Sequence, residues 1–259
     1  MPNAAQFHHD LALLDWHIEL GADEAISETP INRYELVAPE PKPKPAAKPQ
    51  PIAHVAAEPA IFDSTPLAQA CDSLESLRAA VEAFEHCQLK QGARNTVFCD
   101  GNPAARVMII GEAPGREEDR EGKPFIGRAG QLLDKMFAAI GLSRHGDTPE
   151  SALYIINVLP WRPPQNRDPK PEEINLMKPF LLRHIELAQP DFIVTMGNPS
   201  TKTLRDTAEG ITKMRGQWGE VQGIPSLPLF HPAYLLRSPE KKRQAWADLL
   251  SLKARLETK

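Results

Sequence analysis

The 259-residue sequence lacks the features that mark several large protein classes. No stretch approaches the roughly 18 apolar residues expected of a membrane span, and Met1–Asp10 has neither a basic region nor an apolar run, so we see no secretion signal. The three cysteines, Cys71, Cys87 and Cys99, are odd in number and follow no pattern. They argue against a disulfide framework and for a reducing compartment. We therefore expect a cytoplasmic protein that does not bind membranes.

A basic excess is also missing, because the formal net charge is −4. The charges are unevenly distributed: residues 1–60 contain 4 Lys/Arg and 9 Asp/Glu, whereas residues 61–259 contain 26 and 25. Within the latter part, residues 200–259 contain 11 Lys/Arg and 6 Asp/Glu, a local charge of +5. This local basic character permits contact with DNA without proving it.

The prolines divide the chain. Many of the 26 prolines lie between residues 38 and 60, where they alternate with Lys, Ala and Glu. Such a segment has no core-forming residues and predicts an extended linker. Residues 1–37 before it show loose helical periodicity. This amino-terminal segment is either a tethered helix without a catalytic role or a docking element for another protein. Residues 61–259 form the predicted globular domain.

Apolar segments alternate with helical periodicity through the globular domain. Predicted strands are 106–110, 153–159, 191–196 and 227–230. Predicted helices are one around Leu74–Phe84, 129–140, 171–188, one beyond Pro199 and 239–256. Strands that alternate with helices indicate an α/β protein, which we expect to be a three-layer αβα fold with a central four-stranded parallel sheet. Ligands of such sheets bind beyond the carboxyl ends of the strands. This rule predicts one crevice, formed by residues 111–128, 157–168, 197–200 and 231–237.

The turn after the first strand reads Gly-Glu-Ala-Pro-Gly at residues 111–115. It has neither the Gly-x-Gly-x-x-Gly nor the Gly-Lys-Ser/Thr pattern of nucleotide-binding loops. On spacing alone, a tight connection from strand to helix explains it equally well.

Three segments in order resemble the signatures of family 4 uracil-DNA glycosylases. The first is this turn followed by Lys-Pro-Phe-Ile-Gly-Arg-Ala-Gly-Gln-Leu-Leu-Asp at 123–134; the second is Asn157–Arg167, and the third is His231–Arg237. Arg215 and Gly216 match an Arg-Gly pair that usually precedes the third. The resemblance covers about residues 74–252. It implies an enzyme of base excision repair that hydrolyses the bond between uracil and deoxyribose and leaves an abasic site.

The resemblance assigns base recognition to two side chains. The target base must leave the duplex and enter a pocket, and Phe125 supplies a ring on which it stacks. Asn157 can accept from uracil N3–H and donate to O4 at once, a pattern that cytosine reverses. The residues alone leave alternatives open, since Phe125 is also a plausible core residue and Asn157 can also pin a neighbouring loop.

Four further residues receive roles around the base. His231 would donate a hydrogen bond to O2 of the leaving uracil anion, which stabilises charge that develops in the transition state. Glu112, with the Asn157 amide, would position the attacking water and offset the positive charge of the sugar. Ala113 would contact the substrate at a position where family 1 relatives have an aspartate. Glu118 would occupy the space of the thymine methyl group, although its acidic surroundings are also typical of a solvated surface.

The third signature predicts the contact with DNA. Leu235 or Leu236 would wedge into the gap left by the flipped base, while Arg237 would bind phosphate and Arg215 would lie on the same DNA face. The alternative for both leucines is packing against the last helix. The predicted partner is uracil-containing DNA, and we expect the protein to be a monomer.

The chain departs from the family at its iron–sulfur ligands. Family 4 enzymes usually hold a four-iron cluster through four cysteines, and the corresponding positions here are Phe84, Cys87, Trp161 and Met177. One thiolate does not hold a cluster that needs four ligands. We therefore predict that no cluster and no other metal is bound.

Two other functions remain open at this point. A non-catalytic module that recognises damaged DNA would retain Phe125 and Asn157, but the presence of Glu112 and His231 argues against it. A nucleotide-hydrolysing enzyme would need acidic metal ligands, for which only Glu117–Asp119 is available.

Overall fold

The computed structural model describes residues 10, 11, 13, 14 and 62–258. The chain separates into two units, Met1–Glu58 and Pro59–Lys259, and the second unit contains every strand of the described part. Among the described residues, none of the helices combines the length and the apolar composition that a membrane span requires.

Most of the predicted amino-terminal organisation lies outside the described residues. The helical segment at 1–37 is described only at four helical positions between 10 and 14. The linker at 38–60 is not described at all. Both assignments, and the boundary at residue 61, stay predictions.

Six strands in the described part form one mixed sheet. They are β1 (Asp100–Gly101), β2 (Val107–Gly111), β3 (Leu153–Asn157), β4 (Phe192–Met196), β5 (Gly219–Val221) and β6 (Ile224–Leu229). Strand β2 pairs in parallel with β3 and β4, and β4 pairs in parallel with β6. The edge strands β1 and β5 run antiparallel to β3 and β6, so the sheet order is β1-β3-β2-β4-β6-β5.

The α/β class is confirmed, and the sheet has two strands more than the four predicted. The additional strands span only two and three residues, too few for a periodic pattern to reveal them. Strands β5 and β6 are joined through Gln222 and Gly223, whose φ angles of 50° and 78° suit a tight hairpin turn. This hairpin makes β6 begin at Ile224, before the predicted start at Leu227.

Ten α-helices accompany the sheet among residues 62–258. They are α1 (Thr65–Gln69), α2 (Leu74–Ala83), α3 (Leu89–Gly92), α4 (Arg116–Glu121), α5 (Arg128–Ala138), α6 (Pro171–Ala188), α7 (Asn198–Arg205), α8 (Ile211–Met214), α9 (Pro232–Arg237) and α10 (Lys242–Thr258). Helix α6 has the predicted bounds because proline favours the first helical position. The predicted last helix is interrupted, since Pro239–Lys241 forms a separate 3-10 turn before α10.

Each face of the sheet has its own hydrophobic core. Successive strand residues point to opposite faces, and a continuous apolar strand such as β2 therefore needs cover on both sides. One core joins the strands to α2 and α6, and its members include Met108, Ile110, Tyr154, Ile156, Leu77, Val81 and Phe180. The other joins the strands to α5 and α10, and its members include Val107, Ile109, Leu153, Ile155, Leu133, Phe137 and Leu249.

The carboxyl ends of the parallel strands bring the three signatures to one edge. Gly111 at the end of β2 lies opposite Asn157 at the end of β3. Gly197, which follows β4, donates its N–H to the Leu229 carbonyl at the end of β6, 2.9 Å away. His231 comes two residues later. The predicted crevice therefore forms at this edge.

Candidate active site

A cavity of about 680 Å³ opens at the carboxyl edge of the sheet. Its walls come from all four of the segments predicted to form the crevice. They include seven of the predicted site residues, from three stretches of chain: Glu112, Ala113, Glu118, Phe125, Asn157, His231 and Arg237. Distant signatures therefore meet around one ligand-sized space.

Phe125 forms one wall of this cavity. Phe125 is 6% exposed, and the centre of its ring lies 5.4 Å from that of the His231 ring, with 29° between the ring planes. The ring also packs on Gly111, where a Cβ atom would overlap both Phe125 and the Asn157 amide oxygen. Gly111 is therefore required for the close approach of Phe125 and Asn157. The alternative that Phe125 is only a core residue does not account for its place in the cavity wall.

Asn157 ends β3 with its side chain in the cavity. The strand pairing continues past it, because Val158 N–H donates to the Gly111 carbonyl and Leu159 N–H to the Glu112 carbonyl, both at 3.0 Å. Its side-chain amide has no hydrogen-bond partner among residues 62–258. A fixed backbone and an unused amide leave both of its polar atoms available to a ligand.

His231 is held by the start of helix α9. Its Nδ1 accepts the N–H of Ala233 at 3.1 Å, and its Cβ packs on Gly197, whose φ is 87°. Burial, helped by the positive charge of Arg237, lowers the pKa of His231 to about 4. The imidazole is therefore neutral near pH 7. Because Nδ1 is an acceptor, the single proton lies on Nε2, which makes that atom a donor.

Glu112 directly follows Gly111 in the chain and lines the cavity. Burial raises its pKa to about 7, and the nearby charge of Asp168 acts in the same direction. A strongly shifted carboxyl in a cleft is a recurrent property of functional sites. Glu112 thus changes its protonation state close to neutral pH.

Glu118 has a role that the sequence did not predict. One carboxylate oxygen accepts the N–H groups of Ile126 and Gly127 at 3.0 and 2.9 Å, and the other accepts Gly115 N–H at 3.1 Å. The solvated surface is therefore the wrong alternative for this residue, since its carboxylate ties the two loops together. Glu118 and Ala113 both line the cavity. Their predicted part in the exclusion of thymine stays a prediction.

Sequence reasoning placed residues 166–168 in the crevice but gave no individual role to any of them. Asn166, Arg167 and Asp168 all line the cavity, and Arg167 is fixed by two hydrogen bonds to Glu173, at 2.9 and 2.5 Å. Asn166 has a left-handed φ of 53°, which is uncommon outside glycine. The available signal was the polar run Asn-Arg-Asp at 166–168, which begins within the second signature.

The structure distinguishes the two candidate wedge leucines. Leu235 is 1% exposed and packs with Phe230 and Ala245, which corrects its assignment to DNA. Leu236 is 38% exposed on the same helix. Arg237 is exposed at the cavity rim. Leu236 and Arg237 therefore remain the candidates for DNA contact.

Arg215 is directed into the protein. Its guanidinium is paired with Asp248 and donates to the Gln244 carbonyl at 3.0 Å. Both partners belong to helix α10. The predicted DNA contact of Arg215 is therefore replaced by an internal one, which ties the Arg215-Gly216 segment to the last helix.

The four positions that correspond to cluster ligands lie in one packed core. Phe84, Cys87, Trp161 and Met177 are each at most 3% exposed and belong to the core beneath α2 and α6. Trp161 also donates its indole N–H to Thr96 at 3.1 Å. These residues supply one thiol and three side chains that cannot replace thiolates, so they do not fit a four-iron cluster. Across the described residues, no group of three or more His, Cys, Asp or Glu is placed to hold a metal ion.

Comparisons with known proteins identify several similar uracil-DNA glycosylases. The profile of the uracil DNA glycosylase superfamily matches residues 98–250. The Type-4 uracil-DNA glycosylase of Sulfurisphaera tokodaii is 40% identical over 181 residues, which cover 66% of this chain and 80% of that protein. The proteins of the same name from Saccharolobus solfataricus and Thermotoga maritima are each 38% identical, over 73% and 70% of this chain and 88% and 93% of their own lengths.

Proposed function

The chain belongs to the uracil-DNA glycosylase superfamily, and we propose that it hydrolyses the N-glycosidic bond of uracil in DNA and leaves an abasic site. The observation that carries this proposal is the meeting of Phe125, Asn157 and His231 in one cavity. A stacking surface, an amide and a neutral donor are the groups needed to bind one pyrimidine and release it as an anion. The reaction belongs to base excision repair.

Recognition begins once the base has left the duplex. Enzymes of this kind extrude the target nucleotide into a pocket and read its Watson–Crick edge there. Stacking on Phe125 orients the ring, and the free Asn157 amide then accepts from N3–H and donates to O4. Cytosine presents the opposite pattern at these two atoms, so in this amide orientation it would leave both polar atoms of Asn157 unpaired.

Departure of the base depends on His231. As the glycosidic bond breaks, negative charge builds up on the uracil ring and at O2. A neutral imidazole that carries its proton on Nε2 can donate a hydrogen bond to this oxygen directly. It does not need to gain or lose a proton first. The hydrogen bond from Ala233 to Nδ1 keeps the ring in this tautomer, so the donor is in place before the reaction. Preorganised donors of this type are a major source of rate acceleration.

As the base leaves, the sugar becomes cationic and is attacked by a water molecule. Ionised Glu112 offsets the positive charge on the sugar and, with Asn157, positions the attacking water. A strongly electrophilic sugar needs no strong base. The raised pKa of Glu112 implies that this contribution is complete only above neutral pH.

DNA contact is assigned to the exposed part of α9. Leu236 is the apolar side chain available to fill the gap left by the flipped base, and Arg237 lies beside it to bind phosphate. The basic residues Lys241, Lys242 and Arg243 follow α9 closely in the chain.

Glu118 and Ala113 limit the space beside the base and so disfavour the methyl group of thymine.

The proposal includes the absence of an iron–sulfur cluster. Its support is the burial of Phe84, Trp161 and Met177 in the same hydrophobic core as the one remaining thiol, that of Cys87. Side chains that fill the vacated volume maintain the density of a normal core. A cytoplasmic location, a monomeric state and a docking role for residues 1–37 stay predictions from the sequence.

The direct experiment is excision from labelled oligonucleotides. The full-length protein should release uracil from DNA with a single uracil and leave an alkali-labile site, while a matched oligonucleotide with thymine stays intact. EDTA should not change the rate, because no step uses a metal. Binding to uracil-containing DNA without release of the base would instead indicate a recognition module.

A further inference from the structure

The ring of Phe125 is presented by an unusual backbone. Phe125 has a φ of 53°, in the left-handed region that non-glycine residues rarely occupy. Such a conformation persists only where the surroundings enforce it. The bonds that enforce it therefore decide where the ring lies.

The amide groups that come after Phe125 are held from one side. Glu118 accepts both Ile126 N–H and Gly127 N–H, and it also holds Gly115 in the other loop. Helix α5 approaches Phe125 at a position without a side chain, because a Cβ atom on Gly130 would overlap the Phe125 carbonyl.

The carbonyl groups are held from the other side by Arg144. Its Nη1 donates to the Pro124 carbonyl at 3.0 Å and its Nη2 to the Phe125 carbonyl at 2.7 Å. The Arg144 side chain is 5% exposed, so these bonds form away from water. Two consecutive peptide oxygens around the strained residue are thus fixed by one guanidinium.

Arg144 is itself fixed by two acidic side chains. Its Nε donates to Asp134 on helix α5, and its Nη1 donates to Asp100 on strand β1, both at 2.9 Å. The two carboxylates compensate the charge of the buried guanidinium. A planar fork with five donors can serve four acceptors in different directions, whereas the single ammonium group of lysine cannot.

We propose that Arg144 is a positioning residue for base recognition, which holds the Phe125 ring in place through the carbonyl groups of Pro124 and Phe125. Arg144 is not among the residues that line the cavity, so it acts through Phe125 and not on the substrate. The inference rests on the proposed function, because it assigns Arg144 a part in binding uracil. It also assigns a function to the short edge strand β1, which supplies Asp100, and to the loop that contains Arg144.

The test is a double-mutant cycle between Arg144→Lys and Phe125→Leu, measured as kcat/KM for uracil release. Arg144→Lys keeps the positive charge but loses the fork. We expect kcat/KM to fall by about 10- to 100-fold, the usual cost of a displaced positioning group. In the Phe125→Leu background, the same change should cost little more, because the group through which Arg144 acts is already gone.

Arg106→Lys is the matched control. Arg106 is also an ion-paired arginine, bonded to Asp191 at 2.6 Å and to the Leu256 carbonyl at 3.4 Å. It directly precedes β2, at the end of that strand remote from Gly111. The thermal midpoints of both lysine variants are measured together. Arg106→Lys should lower stability without changing kcat/KM.

The outcomes separate the inference from the proposed function. If the wild type releases no uracil, the proposed function fails. If the wild type and Arg106→Lys are active and the Arg144→Lys and Phe125→Leu losses multiply, Arg144 has only a structural role and the inference fails. If Arg144→Lys does not fold, Asp134→Asn replaces it, because the Asp134 side chain is 46% exposed. This variant should lose kcat/KM only in the background that keeps Phe125, and full retention of activity would overturn the proposal.

Discussion

Two histidines illustrate the difference between the site and the core of this protein. Burial lowers the pKa of His231 in the cavity to about 4 and that of His184 on helix α6 to about 3. Each ring stacks on a phenylalanine, His231 on Phe125 at 5.4 Å and His184 on Phe98 at 4.5 Å. Charge state and aromatic contact therefore do not distinguish the two regions.

Hydrogen bonding does distinguish them. His184 Nε2 is bonded to the Tyr154 hydroxyl at 2.7 Å, inside the core. His231 uses Nδ1 on the backbone of its own helix, and its Nε2 has no partner within residues 62–258. A donor that no protein group uses stays available to a ligand. Its position in the cavity wall indicates that a ligand completes the bond.

Replacement of His231 is expected to have the largest effect. His231→Leu removes the donor to the leaving base, and kcat should fall by about 10²- to 10³-fold, as for other donors of this kind. Single-turnover excision from an oligonucleotide with one uracil measures the loss. The folded state should persist, because His231 contributes only one local cap to α9.

His184→Leu is the corresponding change in the core. It leaves the Tyr154 hydroxyl without its partner, which should cost about 1–3 kcal/mol of unfolding free energy. The excision rate of the folded enzyme should stay near that of the wild type. Equal losses of kcat in both variants would show that the distinction between the two regions is mistaken.

Two glutamates provide the next contrast. Burial raises the pKa of Glu112 to about 7, whereas hydrogen bonds from Arg167 lower the pKa of Glu173. If ionised Glu112 is required, kcat/KM should fall by about tenfold per pH unit below 7. His231 stays neutral down to about pH 4, so this histidine does not cause the fall in kcat/KM below pH 7. Glu112→Gln should have a lower rate that no longer changes with pH.

Stability should respond to pH with the opposite sign at the two glutamates. The folded state binds the Glu112 proton more tightly than the unfolded state, so ionisation of Glu112 removes stability as the pH rises toward 7. Glu112→Gln should therefore gain more relative stability at pH 8 than at pH 5. Glu173 contributes stability at neutral pH that is lost as the pH falls, so Glu173→Gln should be less stable than the wild type at pH 8. Chemical denaturation at pH 5 and pH 8 measures the stability of both variants. If kcat/KM of Glu112→Gln still falls below pH 7, a group other than Glu112 causes that fall.

Neighbouring leucines of α9 give a smaller effect on activity. Leu236→Ala should weaken productive binding to double-stranded uracil DNA several-fold, because the wedge that offsets unstacking is shortened. Its effect on single-stranded DNA should be smaller, since fewer stacked pairs must be opened. The unfolding free energy should change little, as expected for an exposed residue.

Leu235→Ala should reverse this pattern. Its side chain is buried with Phe230 and Ala245, so truncation should cost about 2–5 kcal/mol of stability. The ratio of rates on double- and single-stranded DNA should match that of the wild type. If Leu235→Ala alters this ratio and Leu236→Ala does not, the wedge assignment is wrong.

The sequence predicted the elements that depend on long patterns. Continuous apolar runs revealed the four parallel strands, and Pro171 marked the start of α6. The cavity residues Glu112, Asn157 and His231 were found from the rule for strand ends together with the family signatures. Contacts made by tertiary packing were not predictable: Leu235 and Leu236 differ by one position on a six-residue helix, and only the neighbours of α9 decide which is buried. Arg144 lies in a loop without a pattern, so its contacts with the Phe125 segment appear only in the folded chain.

The smallest effect is expected where the family holds its cluster. Cys87 is fully buried, and burial raises the pKa of its thiol, which favours the neutral form over a metal-binding thiolate. Cys87→Ala should leave kcat/KM unchanged and cost about 1 kcal/mol or less of stability, because it removes a single buried atom. Wild-type protein purified without oxygen should contain no stoichiometric iron and no broad visible absorbance. Bound iron that disappears in Cys87→Ala would show that this core is a metal site after all, and the contrast between a packed core and a reactive cavity would then no longer hold.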